Sequence, residues 1–597
     1  MTGVAAVLGS GGVDAMGLVG RILAGMRHRG GEPQRQGDAA HALGATSATN
    51  DGLIGGGGRW LAADTRLANR DDLSSALDLE APATDESIIL KAYERWGTGC
   101  ANRLEGDFAF VLWDDDEDAF YCARDAFGIR PLHYARSRRA TLFASEARAL
   151  FADEALTRRP DREAVATFVV DDYPADGRTL FDQVSMFPPA HWARVGTGRF
   201  ELASFWSPRP FARVDGAASE LAGELAATLG EAVAGRIAGA RQVGVLTSGG
   251  LDSTVVAAES ARAGAEPTLL HVAFPGLACD ESAECERFAD HLALPLLSSD
   301  ARIAATDGPA VLGHPDLIYD ARWAAWQPAL LAGQRDGVDR VLTGEGGDLV
   351  LRPSGAEVGD ALARGALGLA WEHARPRGRL PGLGLLLRAG AKRVLPQGIV
   401  ERLRRRDAEA ADWILTPRYR ERVLEARKAR RQRQQSASFP DVTTQVMFEG
   451  IELNAWHPIN VMLDFMGTTT GVELLHPWLD RRVVELLLAI PHEHRHRPTA
   501  HEKPKPLLRD LARDRLPPDL ADRQGSAEYS SYLVEVLGRH RERIVRDLFA
   551  DSRLAALGIV QPSALTADML DKALNRDYNL LIQLSNVVGI ELWLRQT

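Results

Sequence analysis

The stretch VGVLTSGGLDSTVVAA, residues 243–258, constrains the fold of this chain more than any other. The apolar run Val243 to Leu246 predicts a buried strand, and Thr254 to Ala258 opens a helix. Ser-Gly-Gly stands between them. Glycine at a strand-to-helix turn lets backbone N–H groups approach a ligand closely. A helix N-terminus adds about half a unit of positive charge. The two together make an anion site, and phosphate is the usual anion. Asp252 is then out of place, because a carboxylate repels phosphate unless a cation lies between them; Mg²⁺ suits that position.

A second predicted strand, PTLLHVAF (267–274), follows, and a third, DRVLTGEGGD (339–348), ends in another glycine-rich turn carrying an acid. Strands alternating with helices imply α/β architecture with a doubly wound parallel sheet. Ligands of such sheets bind beyond the carboxyl ends of the strands, so the two turns are expected to face one site. Ser248, Gly249, Gly250 and Ser253 would hold the pyrophosphate end of ATP, and Asp252 and Asp348 would hold Mg²⁺. No G-x-x-x-x-G-K-[ST] loop occurs. The expected chemistry is therefore adenylation: a carboxylate and ATP give an acyl-AMP and pyrophosphate, and an amine then displaces AMP.

Composition excludes several other classes. A net charge of −11 over 597 residues argues against general nucleic-acid binding. The four cysteines, Cys100, Cys122, Cys279 and Cys285, show no C-x-x-C spacing, which points to reduced thiols in a cytoplasm. No apolar run approaches ~20 residues and no signal-peptide pattern opens the chain, so no membrane partner is expected. Residues 1–205 hold short apolar runs with turns between them, DDDED (114–118) reading as a hairpin tip. FWSPRPF (205–211) reads as a linker, and a long Ala-rich helix is predicted over about 216–240. An Arg-rich helical insertion occupies about 351–440, a solvated face or a surface for an acidic peptide or partner protein. QRQQSAS (432–438) lacks apolar periodicity and reads as disordered, and 441–597 reads as helical. The histidines of HRHRP (494–498) and EH (372–373) are expected in solvent.

Over nearly its whole length the chain resembles the asparagine synthetase superfamily. SGGLDS resembles that family's pyrophosphate loop. ACDESAECERFADHL (278–292), GVELLHPWLDRRVVELLLAIP (471–491) and KPLLRDLARDRLPPDLADRQG (505–525) resemble further family segments, with His476 and Trp478 standing where the family carries Arg and Phe. In the first half MRHRG (26–30), RLEGDFAFVLWD, ARDAFGIRPLHY and FASEARAL resemble its glutaminase domain. The resemblance implies two domains. Residues 1–205 would form an Ntn-hydrolase-like αββα glutaminase-like domain. Residues 206–597 would form a doubly wound parallel-sheet ATP-pyrophosphatase (PP-loop) synthetase domain.

The departures matter as much. The family's glutaminase begins Met-Cys-Gly, and here Thr2 replaces the nucleophile. Thr can serve as an N-terminal nucleophile elsewhere, but the family's Asn-Gly-Glu, which supplies an oxyanion hole and an amine ligand, reads Asp64-Thr65-Arg66, while Asp85 survives. Glutamine hydrolysis is expected to be lost. In the synthetase half the resemblance places the adenine along Leu246 and Val272, and the nucleotide or acyl-adenylate against Thr343, Gly344 and Glu345. Asp316 falls near an acid that helps deprotonate the amine, though after Pro315 it also suits a helix cap. The family's catalytic Lys in Arg-x-Lys is missing, the segment reading Arg523-Gln524-Gly525; Lys503, Lys505 or Arg523 would supply the cation. Arg523 could stabilise charge but not trade protons.

Without ammonia the amine must come from elsewhere. The resemblance offers the lasso peptide cyclase branch, in which an Asp or Glu side chain of a precursor peptide is adenylated and the peptide's own N-terminal amine closes a macrolactam. Intramolecular attack gains a large proximity advantage, and ADWILTPRYRER (411–422) resembles a segment of that branch. Implied partners are the precursor peptide, a leader-recognition protein and a leader peptidase. The alternatives are an ammonia-dependent asparagine synthetase, a β-lactam-synthetase-like amide former and a non-catalytic nucleotide-binding scaffold.

Overall fold

A computed structural model of the chain describes residues 1–596 apart from 11, 49–50, 81, 175, 208–213, 215, 303–319, 352–353, 376–378, 395–396, 435–438, 456–458, 497–504, 524–528 and 576. Asp316, Lys503, Gln524 and Gly525 lie outside the described residues.

The first strand, Thr2–Gly9, is buried on both faces. Strand geometry sends alternate side chains to opposite sides: Val4, Ala6 and Leu8 meet a second sheet, while Ala5 and Val7 pack with Leu18, Val19 and Ile22 of helix Ala15–Ala24. Strand Gly106–Asp114 does the same. Ala109, Val111 and Trp113 point between the sheets, and Phe108, Phe110 and Leu112 cover Ile88, Ile89 and Ala92 of helix Asp85–Trp96. The result is two six-stranded antiparallel sheets face to face with a helix outside each, the last strand ending at Ser204. DDDED is a hairpin tip, as expected, between strands ending at Asp114 and beginning at Ala119.

The long Ala-rich helix runs Ala218–Ile237. After it a five-stranded parallel sheet is ordered Leu296–Asp300, Thr268–Ala273, Val243–Thr247, Arg340–Leu342, Glu473–Leu475. The order reverses between the third and fourth of these, so their carboxyl ends bound the crevice where such sheets take ligands. Two expectations need correction. The region 441–597 is not only helical, because it supplies the edge strand Glu473–Leu475, paired in parallel with Arg340–Leu342; three residues are too few to show a periodicity. Gln432 to Gln434 continue the helix Pro417–Gln434 rather than being irregular, and 435–438 lie outside the described residues.

Ion pairs join the two halves. Arg236, on the Ala-rich helix and 2% exposed, reaches Asp107 of the first half at 3.3 Å and Asp480 of the second at 2.6 Å. Burying a guanidinium is tolerated only when it is paired and hydrogen-bonded.

Candidate active site

The turn after Val243–Thr247 carries Gly249 at φ +72°, a conformation that favours glycine, and Gly250 caps helix Leu251–Arg262. The turn after Arg340–Leu342 packs directly on it. A Cβ on Gly344 would stand 2.7 Å from the backbone nitrogen of Ser253, and one on Gly347 would stand 2.3 Å from Asp252 Oδ1. Glycine is needed there because two loops share the space.

A cavity of about 380 Å³ opens at this junction. Leu246, Ser248, Gly249, Gly250, Asp252, Ser253, Val272, Thr343, Gly344, Glu345, Asp348, Lys505 and Arg523 all line it. Of the other residues expected at the synthetase site, Asp316 and Lys503 lie outside the described residues.

Lys505 lies between the two acids expected to hold metal. Its Nζ bonds Asp252 and lies 2.6 Å from Asp348 Oδ1. Burial alone would depress this amine, but the two carboxylates overcome it and hold it above its usual range. Burial pushes the Asp252 carboxyl up, against the pull of Lys505. Burial, with Asp348 and Asp252 beside it, pushes Glu345 up to about 7. Asp252 Oδ1 is buried with no hydrogen-bond partner among the described residues. A hard, oxygen-seeking cation would satisfy that atom. Arg523 is fixed rather than free: Nη1 donates to the Gly249 carbonyl at 2.6 Å and Nη2 to Glu281. It therefore clamps the glycine turn to the segment after the second strand.

Laid on residues 471–480, the family's G-x-E-x-R-x-P-F-L-D puts its Arg opposite Leu475 and its Phe opposite Trp478, so Trp478 is a departure while His476 stands at an open position; both brace this cavity. The indole N–H of Trp478, fully buried, donates to the Asp252 carbonyl at 3.2 Å. His476 Nδ1 lies 2.7 Å from Thr343 Oγ1, which also accepts the Glu345 N–H at 3.2 Å. Burial, with Arg236 and Arg130 nearby, pushes His476 down to about 3, so it is neutral at pH 7. Hydrogen-bonding capacity at both positions is the signal by which they are recognisable. Phe274, Trp323, Trp326 and Tyr529 add an aromatic wall that the sequence did not disclose.

The pocket of the first half is built differently. The Thr2 N–H donates to Asp64 Oδ1 at 3.1 Å. Arg66 Nη2 donates to Glu473 Oε2 at 2.8 Å, and Arg130 also binds Glu473, on the edge strand of the other domain. Arg130 Nη1 stands 3.8 Å from Asp64 Oδ1. Arg29 reaches Asp464 at 2.5 Å and Glu146 at 2.6 Å. Burial would raise Glu473, but Arg130 and Arg66 hold it well below the usual carboxylate range. Asp85 is occupied too, accepting from the Leu67 N–H at 3.0 Å and from Arg70 Nε at 2.7 Å. One histidine expectation fails: His496 is 3% exposed, not solvated, and burial drives it well below its usual value.

A parallel sheet with two interlocked glycine turns at its order reversal, preceded by a double antiparallel sheet, defines a two-domain α/β protein of the amidotransferase type. The chain belongs to the asparagine synthase family, whose profile matches residues 224–595; a glutamine amidotransferase domain profile matches residues 65–206. Asparagine synthetase [glutamine-hydrolyzing] 3 of Bacillus subtilis is 26% identical over 200 residues, 33% of this chain and 32% of its own. A putative asparagine synthetase [glutamine-hydrolyzing] of Mycobacterium bovis is 32% identical over 193 residues, 30% of this chain and 28% of its own. Amidase chry2 of Gibberella zeae is 28% identical over 291 residues, 44% of this chain and 42% of its own. The chain thus spans about a third of the length of the first two of these relatives.

Proposed function

We propose that the protein is an ATP-dependent, AMP-forming amide ligase that takes no ammonia from glutamine, and that it closes a macrolactam in a precursor peptide, as lasso peptide cyclases do. The observation that carries this reading is the contrast between an open cavity at the glycine turns and a first half in which Asp64-Thr65-Arg66 stands for the family's Asn-Gly-Glu and Arg66 is tied, with Arg130, to Glu473. A ligase that makes no ammonia from glutamine draws its amine either from the substrate or from free ammonia, and the macrolactam reading takes the first.

In the first step a substrate side-chain carboxylate attacks the α-phosphorus of ATP, giving acyl-AMP and pyrophosphate. The backbone N–H groups of the 248–250 turn, at a helix N-terminus, would take the pyrophosphate. Asp252 and Asp348 would hold Mg²⁺, which when bound neutralises charge on the phosphates. Lys505 and Arg523 hold positive charge at the same end of the cavity. Glu345 and the Thr343 hydroxyl, oriented by His476, face the nucleotide or acyl-adenylate. In the second step the peptide's N-terminal amine attacks the acyl carbon, forming the amide and releasing AMP and a proton. Asp316 and Lys503 remain candidates for handling that proton and the charge of the tetrahedral intermediate.

The reading includes a leader-recognition protein and a leader peptidase as partners. It also includes a cytoplasmic setting, in keeping with four buried cysteines that form no disulfide. Among the described residues no helix is long and apolar enough to cross a membrane. The names of the relatives favour a second reading, an ammonia-dependent asparagine synthetase. One experiment separates them. The purified protein is incubated with MgATP, aspartate and ammonium, then with linear peptides carrying an acid several residues from a free amine. Asparagine with AMP in the first mixture supports the second reading. Loss of one water from a peptide, with AMP, supports the first. Neither product from protein that binds ATP leaves a β-lactam-synthetase-like amide former or a non-catalytic nucleotide-binding scaffold.

A further inference from the structure

A second cleft, of about 540 Å³, lies outside the nucleotide cavity, where the first half meets the Arg-rich insertion. One wall is segment 163–178 of the first half, and the other is helix Pro417–Gln434. That helix carries eight basic residues against two glutamates, in a chain whose net charge is −11. Four arginines face the cleft: Arg178, Arg422, Arg427 and Arg430.

Two of them are held in place from behind. Asp172, 8% exposed at its side chain, accepts from Arg427 Nε at 2.7 Å and from Arg430 Nη1 at 2.9 Å. Asp412 takes Arg427 Nη1 at 2.5 Å. A guanidinium has five N–H donors, so these contacts fix the planes while leaving donors to spare. Arg422 is less committed. Its side chain is 55% exposed, with carboxylates of Glu163 and Glu425 no nearer than 3.7 Å. Preorganised arginines are the side chains best matched to an incoming carboxylate.

The rest of the lining says what carries that carboxylate. Glu163, Asp172 and Asp176 share the cleft with Val423, Ala426 and Pro174. Three acids repel a uniformly anionic ligand such as nucleic acid or a lipid surface. Mixed charge with apolar patches suits a polypeptide, and the volume is that of a ligand site, enough for a few residues. We infer that this cleft docks an acidic segment of the peptide substrate, remote from the reacting groups. The inference rests on the reading of a peptide substrate, and it gives the first domain a part in binding that needs no glutamine.

The test measures binding without ATP, on the full chain. Fluorescein-labelled octapeptides of alternating alanine and glutamate, or alanine and lysine, are titrated by anisotropy, beside a single-stranded DNA and phosphatidylserine vesicles. The expected result is binding of the glutamate peptide roughly tenfold or more tighter than the lysine peptide, weakening with salt. Arg422→Glu should abolish that preference, Arg422→Lys should keep part of it, and Ala426→Trp, which fills the cleft without changing charge, should also abolish binding. ATP binding without peptide, read by calorimetry, should be unchanged in all three variants, because neither position lines the nucleotide cavity. Equal affinity for both peptides, no effect of the variants, or tighter binding of DNA or vesicles would overturn the inference. If the glutamate peptide binds here while no peptide is ever adenylated, the ligase reading fails and the docking site stands.

Discussion

The two halves of the molecule have both drifted from the motifs of their family, and they have drifted in opposite ways. In the synthetase half the substitution Trp478 and the nearby His476 put hydrogen bonds onto Asp252 and Thr343, so these residues brace the cavity they surround. In the first half the substitution Arg66 reaches across the domain boundary to Glu473, so the altered residue is committed to an ion pair between the domains and not to holding a glutamine amine. A change of residue type therefore says little about loss of function until its partner is known. The same kind of departure can maintain one site and take a residue away from another.

The sharpest way to break this contrast is Asp252→Asn. If the open cavity supports metal-assisted adenylation, ATP–pyrophosphate exchange should fall about 10³-fold, since a Lewis acid contributes several kcal/mol to such a step. Exchange that survives would mean the cavity binds nucleotide without using it. Next in size is Glu473→Gln. Removing one member of a buried ion cluster takes from Arg66 and Arg130 the carboxylate they share, leaves Arg130 with Asp64 and Asp464 at 3.8 and 4.0 Å, and should cost about 3–5 kcal/mol in chemical denaturation. Little change there would mean that the cluster is incidental.

Trp478→Phe restores the family residue but leaves the Asp252 carbonyl without its donor. It should weaken ATP binding by about 1–2 kcal/mol, roughly tenfold, by calorimetry. Acid titration compares the halves directly. His133 in the first domain and His476 in the second are both pushed down to about 3 by burial, against about 6.5 when unfolded. Because the unfolded chain takes up protons that the folded chain refuses, stability should be whole above about pH 6.5. It should then fall with a slope of up to ~1.4 kcal/mol per pH unit for each histidine as pH drops towards 3. Replacing either histidine by Asn should flatten the slope by the same amount. The smallest effect is expected of Thr2→Ala, which should leave synthetase turnover unchanged; a large loss would restore a catalytic role to the first domain.

The nucleotide loops were legible because their chemistry is local. Ser248 to Ser253 and Thr343 to Asp348 announce strand, glycine turn and helix within a few residues. The double sheet was legible in its hairpins. The pairing between the domains was half legible: the charge reversal at Arg66 stands in the sequence, but its partner lies 407 residues away, and no pattern of spacing connects them. His496 was misjudged because HRHRP looks like a solvated run, whereas the fold buries it beside Glu357, at 3.5 Å. Arg523 was foreseen at the site, but its clamp on Gly249 depends on a packing that no local signal encodes.

The edge strand Glu473–Leu475 also bears on how the chain is made. It completes a sheet whose first strand begins at Val243, and it brings the carboxylate that Arg66 and Arg130 require. During synthesis Arg66 and Arg130 leave the ribosome 407 and 343 residues before this counter-charge. Until then Arg130 has Asp64 of its own domain, 3.8 Å away, but not Glu473. This protein should therefore hold a less stable first domain until the second is made. Its halves should be inseparable as expression fragments, and co-expression of 1–205 with 206–597 should rescue what neither piece achieves alone.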